Sequence, residues 1–217
     1  MMEKKKLLVV MQHLRRGGVE LAAINFASNL NKDKYSITYY LVDVQNYHDE
    51  ALESELLASG AKIIKVLHSD HGYIKGYFHA KKVISSGKYD IVHSHVMFFS
   101  GIIAAAAKHC GVKKIVTHSH GTKWNHKENV IFKVYKAVMR KLINKNATHI
   151  LACSEAAGEY LYGKKEYKKK GIFVPNGIDC SAYAYNEAVR REVRNEFGIG
   201  NGEILIGHIG TIYKIKN

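Results

Sequence analysis

The chain has 217 residues, of which 47% are hydrophobic and 24% are charged, with a single proline. This length suits one large α/β domain or one domain with part of another, and the composition excludes collagen-like, wholly disordered and small disulfide-stapled proteins. Lysine and arginine outnumber aspartate and glutamate by 33 to 19, so the net charge is +14 and the expected partners are anionic.

The cysteine spacing and the apolar runs restrict the cellular location. Cys110, Cys153 and Cys180 show no C-x-x-C spacing, which favours reduced thiols in a cytosolic protein. The apolar run at residues 7–11 is too short for a secretion signal, and no stretch approaches the roughly 18 apolar residues of a membrane span. We expect a cytoplasmic protein, either free or peripheral on the inner face of the membrane.

Strands and helices are predicted to alternate along the chain. Short apolar runs predict strands at residues 7–11, 35–44, 62–66, 89–95, 113–119, 148–153 and 172–174. The 3.6-residue apolar period predicts helices at residues 19–30, 50–59, 73–86, 100–110, 127–145 and 154–163, and the lysine-rich run 164–170 is interpreted as a solvated loop. This alternation predicts an α/β fold with a doubly wound, mostly parallel, Rossmann-like sheet.

The regular alternation of predicted strands and helices ends after Gly171. The turn at residues 175–179 resembles a hinge, a helix is predicted over residues 186–197, and an apolar strand is predicted over residues 203–210. A lone strand cannot form a second parallel sheet. We therefore expect residues 1–172 to form one domain and residues 173–217 to be a hinge and the beginning of a truncated second domain.

Candidate ligand-binding residues follow the first, fourth and fifth predicted strands. Ligands of open doubly wound sheets bind beyond the carboxyl ends of the strands, where the strand order reverses. Gly17 and Gly18 lie there, before a helix whose bare N–H groups suit a phosphate. The fourth and fifth strands end in the H-x-H pairs His93/His95 and His118/His120. Residues two apart on a strand share a face, so the four imidazoles should converge on one rim of the sheet.

These histidines admit three interpretations. They could bind a metal, donate hydrogen bonds to hydroxyls and phosphates, or merely fill the strand ends. No aspartate, glutamate or cysteine completes a ligand set, so we expect no metal. The glycines at 198, 200 and 202 precede a strand instead of following one, which argues against a NAD site.

The predicted helix at residues 127–145 carries two stripes. The apolar stripe, which we expect to cover the sheet, is Ile131, Val134, Tyr135, Val138 and Leu142. The basic stripe is Lys133, Lys136 and Arg140. Together with Lys141, Lys145 and the lysine run 164–170, it is either an ordinary solvated face or a contact with an anionic membrane surface. Basic residues are otherwise scattered without a nucleic-acid-binding pattern, so we expect no nucleic-acid partner.

Six short motifs, in order, resemble those of family 4 glycosyltransferases, which are retaining enzymes of the GT-B fold. The motifs are Gly17-Gly-Val-Glu20, Asp90-Ile-Val-His-Ser-His95, Val116-Thr-His-Ser-His-Gly121, Cys153-Ser-Glu155, Val174-Pro-Asn-Gly-Ile-Asp179, and Gly207-His-Ile-Gly210 with Lys216-Asn217. The resemblance implies the N-terminal part of an enzyme whose cleft lies between two Rossmann-like domains. It also implies a bacterial setting, in capsule or exopolysaccharide synthesis.

The resemblance implies an activity and a role for particular residues. A sugar would pass, with retention, from a nucleotide-diphosphate sugar to a polysaccharide or lipid-linked glycan acceptor, without a cofactor or metal. His120 would be the catalytic histidine, with His118 as the alternative in register. The implied substrate-binding residues are Gly17, Gly18, Glu20 and His95, and the implied donor-phosphate residues are Gly210 and Lys216.

One position departs from the family pattern. Gly210-Thr211-Ile212 stands where the family has Gly-Arg-Phe, and a threonine cannot supply the bidentate cation that holds a diphosphate. Most of the nucleotide-sugar site would lie in the second domain, so we expect this chain alone to be inactive. The alternative is a non-catalytic binding subunit that needs a partner chain.

Overall fold

The computed structural model describes residues 3–43, 48–66, 72–123, 129–200 and 202–208. Within them the strands are β1 (Lys5–Met11), β2 (Tyr35–Leu41), β3 (Lys62–Lys65), β4 (Ile91–Ser94), β5 (Lys114–Ser119), β6 (His149–Ala152) and β7 (Gly171–Phe173). The helices are α1 (Gly18–Ser28), α2 (Glu50–Ala58), α3 (Tyr73–Gly87), α4 (Ser100–His109), α5 (Val130–Asn146), α6 (Glu155–Tyr162), α7 (Lys164–Lys170) and α8 (Glu187–Glu196).

The described strands form one parallel sheet in the order β3-β2-β1-β4-β5-β6-β7. The chain first winds outward from β1 to β3 and then returns to place β4 on the other side of β1. The strand order therefore reverses beside β1, where the connections that follow β1 and β4 lead to helices on opposite faces of the sheet. The predicted doubly wound α/β fold is confirmed.

The two faces of the sheet are covered by different helices. On one face, α1 and α2 pack against β1 and β2 through an apolar cluster that includes Leu7, Val9, Ala23 and Leu56. On the other face, α3 and α4 pack against β1, β4 and β5, and α5 and α6 extend this layer over β6. Because side chains alternate along a strand, each strand of the centre contributes to both cores.

The described chain divides into two compact units, residues 1–178 and 179–217. The expected boundary, after residue 172, lies earlier. Phe173 still pairs with Ala152 in the sheet, and the backbone N–H of Val174 donates to the Ala152 carbonyl at 2.9 Å.

The second unit contains α8, which begins at the Asn186 cap. The buried Arg194 guanidinium donates to the backbone carbonyls of Gly200 and Glu203. The strand predicted over residues 203–210 is wrong for its described part, because residues 203–208 have no regular secondary structure. An isolated segment of this length has no neighbouring strand to complete its backbone hydrogen bonds.

The lysine-rich run predicted as a loop is helix α7. Gly163 has φ +86°, a left-handed conformation that separates α7 from α6. Tyr167 is buried from this helix, and the Lys170 ammonium donates to the Asn144 carbonyl at 2.9 Å. The prediction failed because one aromatic anchor, surrounded by good helix formers, is enough to dock a short helix.

The apolar stripe expected to bury α5 faces mostly outward. Ile131, Val134 and Val138 are 79%, 57% and 47% exposed, whereas Met139 and Ile143 are buried. The packed side of the helix also includes half-buried Tyr135 and Leu142. The helix therefore presents an apolar surface to solvent in addition to the one that contacts the core.

Candidate functional site

Two His-Ser-His segments lie at the carboxyl ends of the neighbouring parallel strands β4 and β5. His93 pairs in register with Val116, and Ser94 pairs with Thr117. Because side chains alternate along a strand, Ser94 and Ser119 face the layer that contains α4 and α6. There Ser94 Oγ lies 2.8 Å from Ser100 Oγ, and Ser119 Oγ donates to the Ala157 carbonyl at 2.7 Å. The histidines consequently project to the opposite face, as the sequence predicts.

The four imidazoles form a contiguous group, which we call the histidine pocket: His93, His95, His118 and His120. The ring centroids of His93 and His95 lie 4.1 Å apart, and those of His118 and His120 lie 4.2 Å apart. The His93 and His118 rings are parallel at 5.6 Å. A hydrogen bond of 2.9 Å joins His95 Nδ1 and His120 Nε2 across the two pairs. The predicted convergence of the histidines is confirmed.

Burial keeps these imidazoles uncharged. It lowers the pKa of His93 and of His118 to about 3, with a smaller contribution from the neighbouring imidazoles. The pKa of His95 is well below its ordinary value for the same reasons, and that of His120 is lowered by burial to about 4. At neutral pH the histidine pocket therefore offers neutral donors and acceptors instead of positive charge.

Several ring nitrogens of the pocket have no hydrogen-bond partner among the described residues. They are His93 Nε2, His95 Nε2, His120 Nδ1 and both nitrogens of His118. His93, His95 and His118 are 3%, 4% and 5% exposed, whereas His120 is half-buried. Buried polar atoms are normally paired, so unpaired ones concentrated here indicate a place for a ligand.

The glycine loop leads into α1 without a side-chain cap. Gly17 is the N-cap residue in an extended conformation, and α1 begins at Gly18. A Cβ on Gly17 would collide with Glu20 Oε2, whereas a Cβ on Gly18 would meet nothing within 4 Å. The start of α1 therefore has no side-chain cap, and there is open space beside Gly18.

Glu20 and the arginines of this loop interact with other groups of the chain. The Glu20 side chain is buried and accepts from Arg15 Nε at 3.1 Å, while its Oε2 has no hydrogen-bond partner among the described residues. Arg16 pairs with Asp49 at 3.2 Å and with Glu55 at 2.6 Å. The carboxylates of the chain itself thus engage both arginines beside the glycine loop.

Helix α1 connects the glycine loop to the histidine pocket. Phe26 packs its ring edge against His93 at 5.3 Å, and Asn25 Nδ2 donates to the Gly177 carbonyl at 3.3 Å. The backbone of Val174 and the side chain of Asn176 raise the pKa of His118 and His120 respectively, against the larger effect of burial. The segment after β7 therefore borders the pocket. The predicted residues Gly210 and Lys216 lie outside the described residues.

A second cavity that the sequence analysis missed opens at the same sheet edge, on the α3 side. Its volume is about 370 Å³, and Gln12, Asp43, Tyr73 and Tyr135 are among the residues that line it. Gln12 follows β1 and Asp43 follows β2, so the rule that selects strand ends could have identified them. Tyr73 begins α3 and Tyr135 lies in the second turn of α5, and no sequence pattern links those two positions.

Comparison with known proteins identifies the family. The model of Glycosyltransferase Family 4 matches residues 16–182, which include the glycine loop and all four histidines of the pocket. The chain belongs to glycosyltransferase family 4. The family predicted from the six motifs is confirmed.

Two curated relatives are glycosyltransferases by name. This family 4 chain is 30% identical over 221 residues to EpsF of Bacillus subtilis (strain 168), assigned as a glycosyltransferase, with 99% of this chain and 56% of EpsF covered. It is 27% identical over 177 residues to the capsular polysaccharide biosynthesis glycosyltransferase CapH of Staphylococcus aureus, with 81% and 48% covered. The chain thus spans about half the length of the curated relatives it matches.

A solved structure shares the fold. Anabaena Alr3699/HepE, in complex with UDP, matches with a TM-score of 0.67 at 17% identity, over 89% of this chain and 50% of that one. At this identity the likeness concerns the fold alone. In the part of the family 4 chain that the structure describes, no helix is long and apolar enough to span a membrane.

Proposed function

We propose that the chain is the acceptor-side half of a retaining glycosyltransferase that takes a sugar from a nucleotide-diphosphate donor. The observation that carries this proposal is the histidine pocket of a family 4 chain, at the edge where a doubly wound sheet binds ligands. The second half of the cleft would come from a domain that follows the hinge, beginning within residues 179–217. No cofactor or metal is needed for this transfer.

The neutral imidazoles suit the charge that develops during glycosyl transfer. When a glycosidic bond breaks, the transferred sugar gains oxocarbenium-like positive charge. A protonated histidine would oppose that charge, whereas a neutral one can bind sugar hydroxyls without repulsion. The lowered pKa values of the four histidines keep their imidazoles uncharged at neutral pH.

Three of the four histidines have distinct proposed roles. His120 is half-buried beside three buried histidines, so it contacts the substrate as the catalytic histidine. His95 holds the His120 ring through the bond of 2.9 Å, and its own position makes it part of the substrate-binding wall. His118 lies 4.2 Å behind His120, between centroids, and supports it.

The start of α1 is proposed to stabilise the leaving diphosphate. Uncapped N–H groups at a helix N-terminus attract anions, and the lack of a Cβ at Gly18 permits close approach. Gly17 provides the space in which the Glu20 carboxylate lies, so Glu20 acts on the loop conformation. Gly210 and Lys216 remain proposed contacts of the donor phosphates.

Nuclear magnetic resonance of the histidine side chains tests this proposal on the chain as it is. Adding nucleotide sugars should shift the imidazole signals of His95 and His120, and UDP alone should shift backbone signals of residues 17–19 without moving those imidazoles. His149, at the opposite edge of the sheet, serves as the unaffected control. If no nucleotide sugar moves the pocket signals, the proposed donor site is wrong. Rapid sugar transfer by the isolated chain would contradict the view that half of the cleft lies elsewhere.

We also infer that the acceptor is presented at an anionic membrane surface. The outward residues of α5 that are apolar, Ile131, Val134 and Val138, lie on the same helix as the exposed lysines 133 and 141. On α3, Ile74 and Phe78 are 75% and 62% exposed. Apolar side chains surrounded by lysines are the chemistry that a bilayer with anionic headgroups attracts.

The two helices present these residues near one another. The rings of Tyr73, at the start of α3, and Tyr135, in α5, lie with their centroids 4.9 Å apart and their planes tilted by 32°, and both residues line the cavity of about 370 Å³. A lipid-linked saccharide could keep its lipid in the membrane while its polar head enters this cavity toward Gln12 and Asp43. This arrangement supports a lipid-linked acceptor.

Liposome sedimentation tests the membrane contact. The chain should pellet with vesicles that contain anionic lipid and stay in solution with neutral vesicles, and Ile131→Ser with Val134→Ser should reduce pelleting. Leu57→Ser, which alters a half-exposed residue of α2, is the matched control. Equal sedimentation with both vesicle types, or no loss in the double variant, would remove this contact from the proposal.

A further inference from the structure

We propose that His93, His95 and His118 form a binding site for one divalent transition-metal ion of the Zn²⁺ class. One ligand nitrogen from each of the three histidines lies within 4.8 Å of the others, and all three side chains are buried. This inference does not rest on glycosyl transfer, because it concerns only which ion the three imidazoles can hold. The neutral pocket proposed for transfer is the ion-free state, so a bound ion would inhibit transfer by placing positive charge beside His120.

The donor set is the one that such ions prefer. Neutral imidazole suits Zn²⁺, Co²⁺, Ni²⁺ and Cu²⁺, and three histidines with an open fourth position make a common zinc centre. The sequence argument against a metal was that no aspartate, glutamate or cysteine completes a ligand set, but a third ligand can also be a histidine. The parallel pairing of β4 with β5 supplies it, because His118 of one pair stacks on His93 of the other.

Two of the three histidines offer a nitrogen with no competing hydrogen bond among the described residues. His93 Nε2 and His95 Nε2 lack a hydrogen-bond partner among the described residues, so an ion on these two atoms would displace no bond within that part of the chain. Tetrahedral zinc at about 2.0–2.1 Å from nitrogen needs ligands about 3.4 Å apart. The rings must therefore turn slightly, which the side-chain torsions permit without moving the strands.

A neighbouring histidine fixes the tautomer that metal binding requires. With a metal on His95 Nε2, the proton of that ring resides on Nδ1, which faces His120 Nε2 at 2.9 Å. His95 then donates and His120 accepts, with the His120 proton on Nδ1. Metal-bound histidines usually donate their second N–H in this way, and the bond holds the ring in place.

The absence of a carboxylate from the donor set selects among cations. Ca²⁺ and Mg²⁺ require oxygen ligands and should not bind three imidazoles. Among nitrogen-binding ions, three neutral ligands leave the full double charge of the ion, so its open position should take water or an anionic oxygen. The expected ion is thus a transition metal with an exchangeable fourth ligand.

The experiment uses the whole chain, treated with a chelator and then titrated with Co²⁺ and Zn²⁺. Co²⁺ should bind one ion per chain and develop the intense visible bands of a four- or five-coordinate site, and Zn²⁺ should displace it. His95→Gln and His118→Gln should each weaken Zn²⁺ binding by about tenfold or more. His149→Gln and His109→Gln, which alter histidines away from the pocket, are the matched controls and should leave it unchanged.

A measurement on the unaltered chain keeps the proposal testable if the buried variants fail to fold. Zn²⁺ should shift the imidazole ¹⁵N signals of His93, His95 and His118 at a stoichiometry of one, whereas Mg²⁺ should shift none of them. The proposal is overturned if the unaltered chain binds no stoichiometric Co²⁺, or if Zn²⁺ moves only other histidines. It is also overturned if a folded His118→Gln variant binds Zn²⁺ as tightly as the original chain.

Discussion

Gly17 and Gly18 are adjacent in sequence but differ in what a side chain there would meet. In Gly18→Ala the new Cβ enters open space, so stability should stay within about 0.5 kcal/mol of the original. Its methyl group would occupy the approach to the helix N–H groups, so UDP should bind more weakly. A titration with UDP and an unfolding curve in urea measure the two effects. Unchanged UDP binding would mean that the diphosphate does not approach Gly18.

Gly17→Ala is the matched variant, and we expect it to lower the stability of the fold. Its Cβ would collide with Glu20 Oε2 and displace that carboxylate from Arg15. Overpacking of this kind costs about 1–3 kcal/mol, so the urea midpoint should fall. Glu20→Ala removes the colliding group, so Gly17→Ala combined with Glu20→Ala should be little less stable than Glu20→Ala alone. A Gly17→Ala chain as stable as the original would show that Glu20 relaxes freely.

Two buried tyrosines, Tyr39 and Tyr162, and the half-buried Tyr135 should resist ionisation at alkaline pH. Burial is the main cause that raises the pKa of Tyr39, Tyr135 and Tyr162 above the ordinary value of 10.0. A pKa higher in the folded than in the unfolded chain stabilises the fold below pH 10, and this contribution is lost as the pH rises above it. Absorbance at alkaline pH should therefore show late-ionising tyrosines among the 14 of the chain, appearing together with unfolding. Tyr162→Phe should remove one late-ionising group, and early ionisation of all tyrosines would contradict this.

At the scale of residues, the sequence predicts which face of a strand a side chain occupies better than it predicts the group with which that side chain interacts. The common face of His93, His95, His118 and His120 follows from a two-residue alternation and from the carboxyl-edge rule. The Arg15–Glu20 pair does not follow from either rule, because it depends on how the irregular loop before α1 folds back on that helix. In the structure the Arg15 guanidinium pairs with the Glu20 carboxylate of the chain itself.

At the scale of secondary-structure elements, Arg140 joins α5 to α6. Its guanidinium donates to the Leu161 carbonyl at 3.1 Å and to the Tyr160 carbonyl at 2.8 Å, near the end of α6. Arg140→Met should lower the free energy of unfolding by about 1–3 kcal/mol, because it leaves those carbonyls without a charged donor. Lys141→Met, at the exposed neighbouring position, should change stability by less than about 0.5 kcal/mol. Urea unfolding compares them, and equal losses would contradict the capping role.

Helices α5 and α7 show which properties of a helix the sequence does not predict. Helix α5 has apolar residues on two sides, so a 3.6-residue period finds the helix but cannot decide which side is buried. The basic stripe likewise contains Arg140, which acts within the fold, and Lys133, which is exposed. Helix α7 was missed because its single buried residue, Tyr167, makes no periodic pattern.

At the scale of the whole molecule, the order of strands and helices is the most predictable property. Alternating short apolar runs and amphipathic segments restrict the chain to a parallel sheet with right-handed crossovers. The place where the first unit ends is less predictable, because Phe173 and Val174 carry no signal that distinguishes a last strand residue from the first residue of a hinge. Their pairing with Ala152 decides it.

Limited digestion with chymotrypsin tests that boundary. Tyr183 and Tyr185 are 78% and 77% exposed and lie between β7 and α8, where the chain has only a short 3₁₀ turn at Cys180–Tyr183. Phe173 is also exposed, at 62%, but its backbone is paired in the sheet, and a protease must detach a segment before it can cut. The first cuts should therefore fall after Tyr183 or Tyr185 and leave the sheet intact, as mass spectrometry and circular dichroism would show. Phe173→Leu should leave this early pattern unchanged, whereas Tyr183→Ser with Tyr185→Ser should delay it. A first cut after Phe173 would mean that β7 opens readily and that the compact unit ends at the boundary expected from the sequence.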